Sequence, residues 1–266
     1  MIKKVLLGVG ILFILGTGSL SFAYIIDGRL DDWGVIPFKD WSPDSPTADR
    51  VIQDGIRPDG GRVWGGEPYD VEALYFDDDG RYFYFAMVSS YPLMGRRWRN
   101  LAGDLGLNLD GRRGYEYGIK IRGLKPKKSL QYRSLWRNPK WKRCKHPEAN
   151  PIWMMRGEFI GLTELFYRNA GYIEGMAKRP YKPRLWKNWG ITYILEGRVN
   201  RFLFDPLPLE GRTIVLHWAE YCGNDYINLK ADINHPPIPE PGSLTLFTIG
   251  VFSLGGLSLR KFRKIK

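Results

Sequence analysis

The chain has 266 residues, a formal net charge of +12, 44% hydrophobic and 14% aromatic residues, three histidines and two cysteines. With no CxxC pair, no HExxH helix, no phosphate-cradling glycine loop and no Gly-x-Ser-x-Gly elbow, composition and motifs leave zinc, nucleotide and serine-hydrolase chemistry without residues to carry them.

Lys3 and Lys4 precede an apolar stretch from Val5 to Leu15, and Ser21-Phe22-Ala23 places small residues where a signal peptidase reads. Residues 1–23 therefore read as a signal peptide cut between Ala23 and Tyr24, with a retained signal anchor as the alternative. The two lysines and the five cations among the last seven residues account for most of the net charge, leaving +5 for Tyr24 to Pro241. That residue is too small to require nucleic acid as a partner.

The remaining body can bury a sizeable core, and its many short apolar runs between Gly, Asp and Pro turns predict an all-β antiparallel sandwich over residues 24–235. Val71 to Phe76 and Arg81 to Ser89 flank Asp77-Asp78-Asp79-Gly80 as a hairpin. Leu105, Leu107 and Leu109 alternate with polar or small residues. After the Asp110-Gly111 turn, Tyr115, Tyr117, Ile119 and Ile121 share a face. Ile191, Tyr193, Leu195 and Val199 form a later alternation, and Ile214, Leu216 and Trp218 another. Between them, Leu124 to Lys187 is rich in Pro, Trp and cations and reads as an irregular basic insertion.

That middle region carries the candidate binding residues. Ten lysines and arginines fall between Arg122 and Lys145 with no acid among them, interleaved with Tyr132, Trp136 and Trp141. Trp186 and Trp189 sit in a second basic stretch of the same style. Aromatic rings offer platforms to sugar C–H faces, and guanidinium forks such as those of Arg133 and Arg137 pair with carboxylates or sulfates, so an acidic polysaccharide fits. A solvated basic face with its tryptophans packed under loops, or a surface facing anionic lipid, fits the same residues. Glu196 and Glu220 lie on predicted strands, and ordinary strand roles account for them better than a glycosidase carboxylate pair; no catalytic residue is assigned. Asp27, Asp31 and Asp32 cluster closely enough to suggest calcium, as do Asp77, Asp78 and Asp79, although turn formation explains aspartates equally well. Cys144 and Cys222 are an even pair and, in an oxidising compartment, read as one disulfide, with two free thiols as the alternative.

At the far end, Pro236-Pro237-Ile238-Pro239 opens an extended linker over residues 236–241. Pro239-Glu240-Pro241 precedes an apolar run over residues 242–259, then the basic residues 260–266. At about 1.5 Å per helical residue the run reaches about 27 Å, marginal against a hydrocarbon core of about 30 Å, and its serines, threonines and glycines suit a removable anchor. The basic end stays cytoplasmic.

This tail resembles the PEP-CTERM sorting signal. The resemblance implies a transient anchor in the inner membrane, recognition by an exosortase-type membrane protease, and delivery to the cell surface or extracellular matrix. Ile26-Asp27-Gly28-Arg29-Leu30-Asp31-Asp32-Trp33, the hairpin from Tyr69 to Ser89 and Tyr193-Ile194-Leu195-Glu196-Gly197-Arg198-Val199 are similar to the family-nine-like carbohydrate-binding modules. That second resemblance implies a β-sandwich, and a structural calcium at Asp27, Asp31 and Asp32.

Overall fold

The computed structural model describes residues 24–53, 55–92, 102–121, 132–172 and 191–238. Among the described residues, eleven strands form two antiparallel sheets: β1 (Asp49–Ile52), β2 (Val71–Asp78), β3 (Tyr82–Ser89), β4 (Leu105–Asn108), β5 (Tyr117–Ile119), β6 (Ser134–Lys142), β7 (Trp153–Leu162), β8 (Glu164–Tyr172), β9 (Ile191–Asn200), β10 (Thr213–Ala219) and β11 (Tyr226–Asp232). One sheet has the order β1-β2-β3-β9-β8 and the other β11-β10-β4-β5-β6-β7.

The alternating residues do what their period demands. Leu105, Leu107, Tyr117 and Ile119 from one sheet meet Phe83, Phe85 and Leu195 from the other in one core. Ile214, Leu216 and Trp218 join them, as their spacing predicts. The β2–β3 hairpin closes where expected, with Gly80 at φ 82°, a region that side chains avoid.

A second core covers the opposite face of the five-stranded sheet. Tyr24, Leu30, Trp33 and Val35 from the N-terminal segment pack on Tyr75, Tyr84, Ala86 and Ile194. This layer explains why β2 is buried along its whole length, on both faces. Glu196 fastens it: its carboxylate accepts from the backbone N–H groups of Asp27 (3.0 Å) and Gly28 (2.9 Å) and from the Trp33 indole (2.9 Å). The segment picked out by its Asp-Gly-Arg-Leu-Asp-Asp-Trp sequence is thus a cover held by a strand carboxylate.

The expected irregular insertion is corrected by β6, β7 and β8, which belong to the two sheets. β6 and β7 complete the six-stranded sheet, and the chain passes through Thr163 into β8 at the edge of the other. Its regularity is hidden in sequence because the β6–β7 register shifts three times, near Leu135, Pro139 and Lys140, and each bulge resets the alternation. Pro236 to Ile238 dock on the β2–β3 turn, where the Ile238 N–H donates to the Gly80 carbonyl (3.0 Å). No helix among the described residues is long and apolar enough to cross a membrane. The signal segment up to Ala23, the Pro239-Glu240-Pro241 motif, the apolar run and the basic tail lie outside the described residues.

Candidate functional site

The outer face of the six-stranded sheet carries two of the aromatic groups that the sequence singles out, Trp136 and Trp141. Register places Asn228, His217, Gly106, Gly118, Trp136 and Phe159 side by side, one from each strand, in a single row across the sheet. Two glycines at its centre leave bare backbone as a floor. Tyr115 lies over Gly106, where an added Cβ would sit 3.0 Å from the ring. Over Gly118 a Cβ would come within 2.4 Å of the Met154 sulfur and 2.7 Å of the Trp141 ring, so only glycine fits beneath them.

The rings are fixed by their polar edges. The Trp141 indole N–H donates to the Tyr115 carbonyl (2.9 Å) and that of Trp136 to the Ser134 hydroxyl (2.7 Å). Trp136 meets the exposed Phe159 edge to face, with centroids 5.6 Å apart. Tyr115 approaches His217 at 5.1 Å, and burial pushes its phenol up to about 12, which keeps it a neutral hydroxyl. Both ring edges and faces suited to sugar C–H stacking therefore sit on a rigid support.

Beneath and beside this row lie two buried polar groups. His217 is fully enclosed and burial lowers its pKa, so the ring is neutral. Because the Pro151 carbonyl 2.9 Å from Nε2 can only accept, the proton is assigned to Nε2; Nδ1 lies 2.6 Å from Asn228 Oδ1, and the two form a hydrogen bond when the Asn228 amide is turned to present its NH2. The Lys120 ammonium donates to Asp104 at 2.8 Å with both side chains buried. Burial raises the Asp104 carboxyl against the opposing pull of Lys120 and of the Met154 and Ile121 N–H groups. Lys140 and Lys142 on β6 and Arg156 on β7 are exposed.

Of the residues named from sequence, Trp136 and Trp141 come together here. Tyr132 turns inward against the main core, with the Arg133 guanidinium 5.0 Å from its ring, and Arg133 itself takes φ 60°. Arg137 is engaged by both oxygens of Glu158 (2.9 and 3.0 Å) and by Asp205 (3.2 Å), which neutralises it as an anion receptor. Trp186 and Trp189 lie outside the described residues. Sequence reasoning assigned Tyr115 to the core face and passed over Phe159, Met154 and the two glycines. The signal was available in Leu105-Gly106-Leu107 and Tyr117-Gly118-Ile119, where glycine occupies the outward position of two neighbouring strands.

The other candidates have partners within the fold. Asp27 accepts from the Arg29 N–H (2.9 Å), Asp32 accepts from the Ile25 N–H (2.6 Å), and the Arg29 guanidinium reaches Asp27 and Asp31 at 3.8 and 4.0 Å. These aspartates shape the turn that leads to Trp33, and Asp31 points to solvent. Among the described residues the group with metal-ligand spacing is Asp77, Asp78 and His235. Its oxygens are already taken: Asp77 by the Tyr24 and Ser45 hydroxyls, Asp78 by Arg201 and by the N–H groups of Asn234 and His235. The buried Arg201 guanidinium supplies the positive charge that a calcium ion would bring.

Glu196 lies on β9 of one sheet and Glu220 just past β10 of the other, and each is fully buried, so they form no carboxylate pair across a cleft. The disulfide expected from Cys144 and Cys222 is absent, and both thiols are free. Each is held by its own loop: the Cys144 sulfur accepts from the His146 N–H (3.3 Å), and Cys222 donates to Glu220 (3.2 Å). Compared with protein-family models, curated proteins and solved structures, the chain gives no match in any of the three.

Proposed function

We propose that this chain is an exported protein, carried out by its signal segment, held transiently in the inner membrane by its tail and released by an exosortase-type protease. At the cell surface or in the extracellular matrix it binds polysaccharide without catalysis. The observation that supports this most directly is the aromatic row on a glycine floor, with Trp136 half-buried, Phe159 exposed, and exposed lysines on the strand that carries Trp136. A flat sheet face with ring platforms and cations suits a chain of sugar rings, acidic ones above all. The likeness of the tail to the PEP-CTERM signal and of Ile26 to Trp33 to the carbohydrate-binding modules supports the address and the ligand class.

A glycan array probed with the protein tests the binding. Trp136→Ala and Phe159→Ala each remove a platform worth about 1–2 kcal/mol and should weaken binding about tenfold. Intact masses from membrane and culture fractions test the sorting, which predicts a released form ending near Pro241.

A second reading is a structural or adhesive matrix protein with no small-ligand site. It draws on the exposed apolar residues Met155, Phe159, Leu162 and Phe166 along β7 and β8. Absence of binding to any glycan, together with self-association, would favour it over the first.

A further inference from the structure

β7 ends the six-stranded sheet, and among the described residues no strand pairs with its outer edge. Such an edge is a row of unpaired backbone groups ready to accept another strand. Its central residues, Met155-Arg156-Gly157-Glu158-Phe159, are all exposed. Read outward from Gly157 they are symmetric in chemistry: an arginine faces a glutamate across one step, and a methionine faces a phenylalanine across two.

From this self-complementary pattern we infer that β7 pairs antiparallel with β7 of a second copy of this chain, about a two-fold axis through Gly157. In that register Arg156 of each copy stands opposite Glu158 of the other, on the same side of the sheet, and Met155 stands opposite Phe159. Arg156 has no hydrogen-bond or ion-pair partner for its side chain among the described residues, so its charge is available. Glu158 already holds Arg137, yet its carboxylate is half-exposed and has lone pairs left for a second guanidinium.

Three further features fit a second copy better than an unrelated strand. Gly157 places no side chain on the axis, where the two backbones and their neighbours crowd most; within its own sheet it is also needed, since a Cβ would lie 3.1 Å from the Arg137 carbonyl. Register shifts against β6 at Met155 and Ile160 bound the stretch from Arg156 to Phe159, and a third falls at Gly157 itself, opposite Asn138 and Pro139; together they break the regular edge and confine pairing to this short centre, which disfavours slipped registers. Opposite charges at mirrored positions are what an isologous interface requires, whereas a foreign strand would need only its own complement.

The consequence joins two molecules into one twelve-stranded sheet. Because the axis is perpendicular to the sheet, the two outer faces lie on the same side, with Phe159 and Trp136 of each copy beside the join. A polysaccharide long enough to cross would meet both rows, and two weak platforms would act as one stronger one. The pairing itself does not depend on glycan binding, so the two can fail separately.

Sedimentation velocity of the full chain in detergent, over a concentration series, reads the association. The wild type should show a monomer–dimer equilibrium. Arg156→Glu sets glutamate against Glu158 of the partner subunit in both cross-strand pairs, and Glu158→Arg sets arginine against arginine, so each variant alone should be monomeric. Mixed together, they should recover a dimer containing one chain of each kind, because both cross-strand pairs are then complementary. If Glu158→Arg fails to fold for want of the Arg137 partner, Arg156→Glu alone decides the matter, since that side chain has no internal contact to lose. A wild-type chain that stays monomeric, or a dimer that Arg156→Glu leaves intact, overturns the inference.

Discussion

Glu196→Gln isolates the contact that fastens the N-terminal cover to the sheet. The carboxylate takes two backbone N–H groups on one oxygen and the Trp33 indole on the other. Glutamine has a single acceptor oxygen. Turned toward the backbone donors, it leaves its own NH2 facing the indole N–H in a fully buried site, where each orphaned donor costs about 1–3 kcal/mol. At pH 5 the native side chain is the neutral acid, whose hydroxyl oxygen can still accept from the indole where the glutamine NH2 cannot, so we expect a loss of about 1–3 kcal/mol, read as a shift of the urea midpoint with unchanged slope. Loosening of the cover should also shift emission from Trp33, which is wholly buried in the native state.

The same residue sets a pH dependence whose sign is opposite to that of a salt-bridged acid. Burial pushes Glu196 up to about 7 from 4.5, outweighing its three donors. The native protein then keeps a proton that the unfolded chain releases. Its contribution is complete below about pH 4.5 and is lost as pH rises through about 7, by at most about 3 kcal/mol. The gap between wild type and Glu196→Gln should accordingly narrow as pH rises. A loss under about 0.5 kcal/mol at pH 5, or stability curves that stay parallel from acid to neutral pH, would refute this account of the cover.

Lys120→Met leaves the Asp104 carboxyl buried with only backbone donors, and urea unfolding at pH 7 should show a loss of about 3–5 kcal/mol. That loss should shrink at acid pH, since a protonated Asp104 no longer needs the ammonium. Intact mass of protein purified without reductant should match the fully reduced chain. Cys222 should react slowly with alkylating reagents, because burial raises its thiol pKa; a two-dalton deficit would contradict the free thiols.

The regular alternations were legible: β4, β5, β9 and β10 follow from residues two apart that must share a face, β2 and β3 from the apolar runs that flank the turn at Gly80, and Gly80 and Gly111 from turns that need positive φ. In the middle region the alternation fails because Asn138 takes φ 48° and Pro139 interrupts the ladder, so β6 and β7 read as loop. Of the tryptophans marked in that region, Trp136 and Trp141 lie on the outer face of the six-stranded sheet. What the sequence could not say was which rings face outward, because a single register shift exchanges the two sides of a strand.

Composition and order alone determined that this chain is mostly β, since local propensity and a two-residue period are properties of consecutive residues. Tertiary structure decided the rest: that Glu196 is an anchor, that Arg137 is already neutralised, and that Gly106 and Gly118 lie side by side under Tyr115 and Trp141. Each of these depends on a pairing between segments far apart in the chain. Such contacts are set by register and by which face is buried, and neither is written in any one segment.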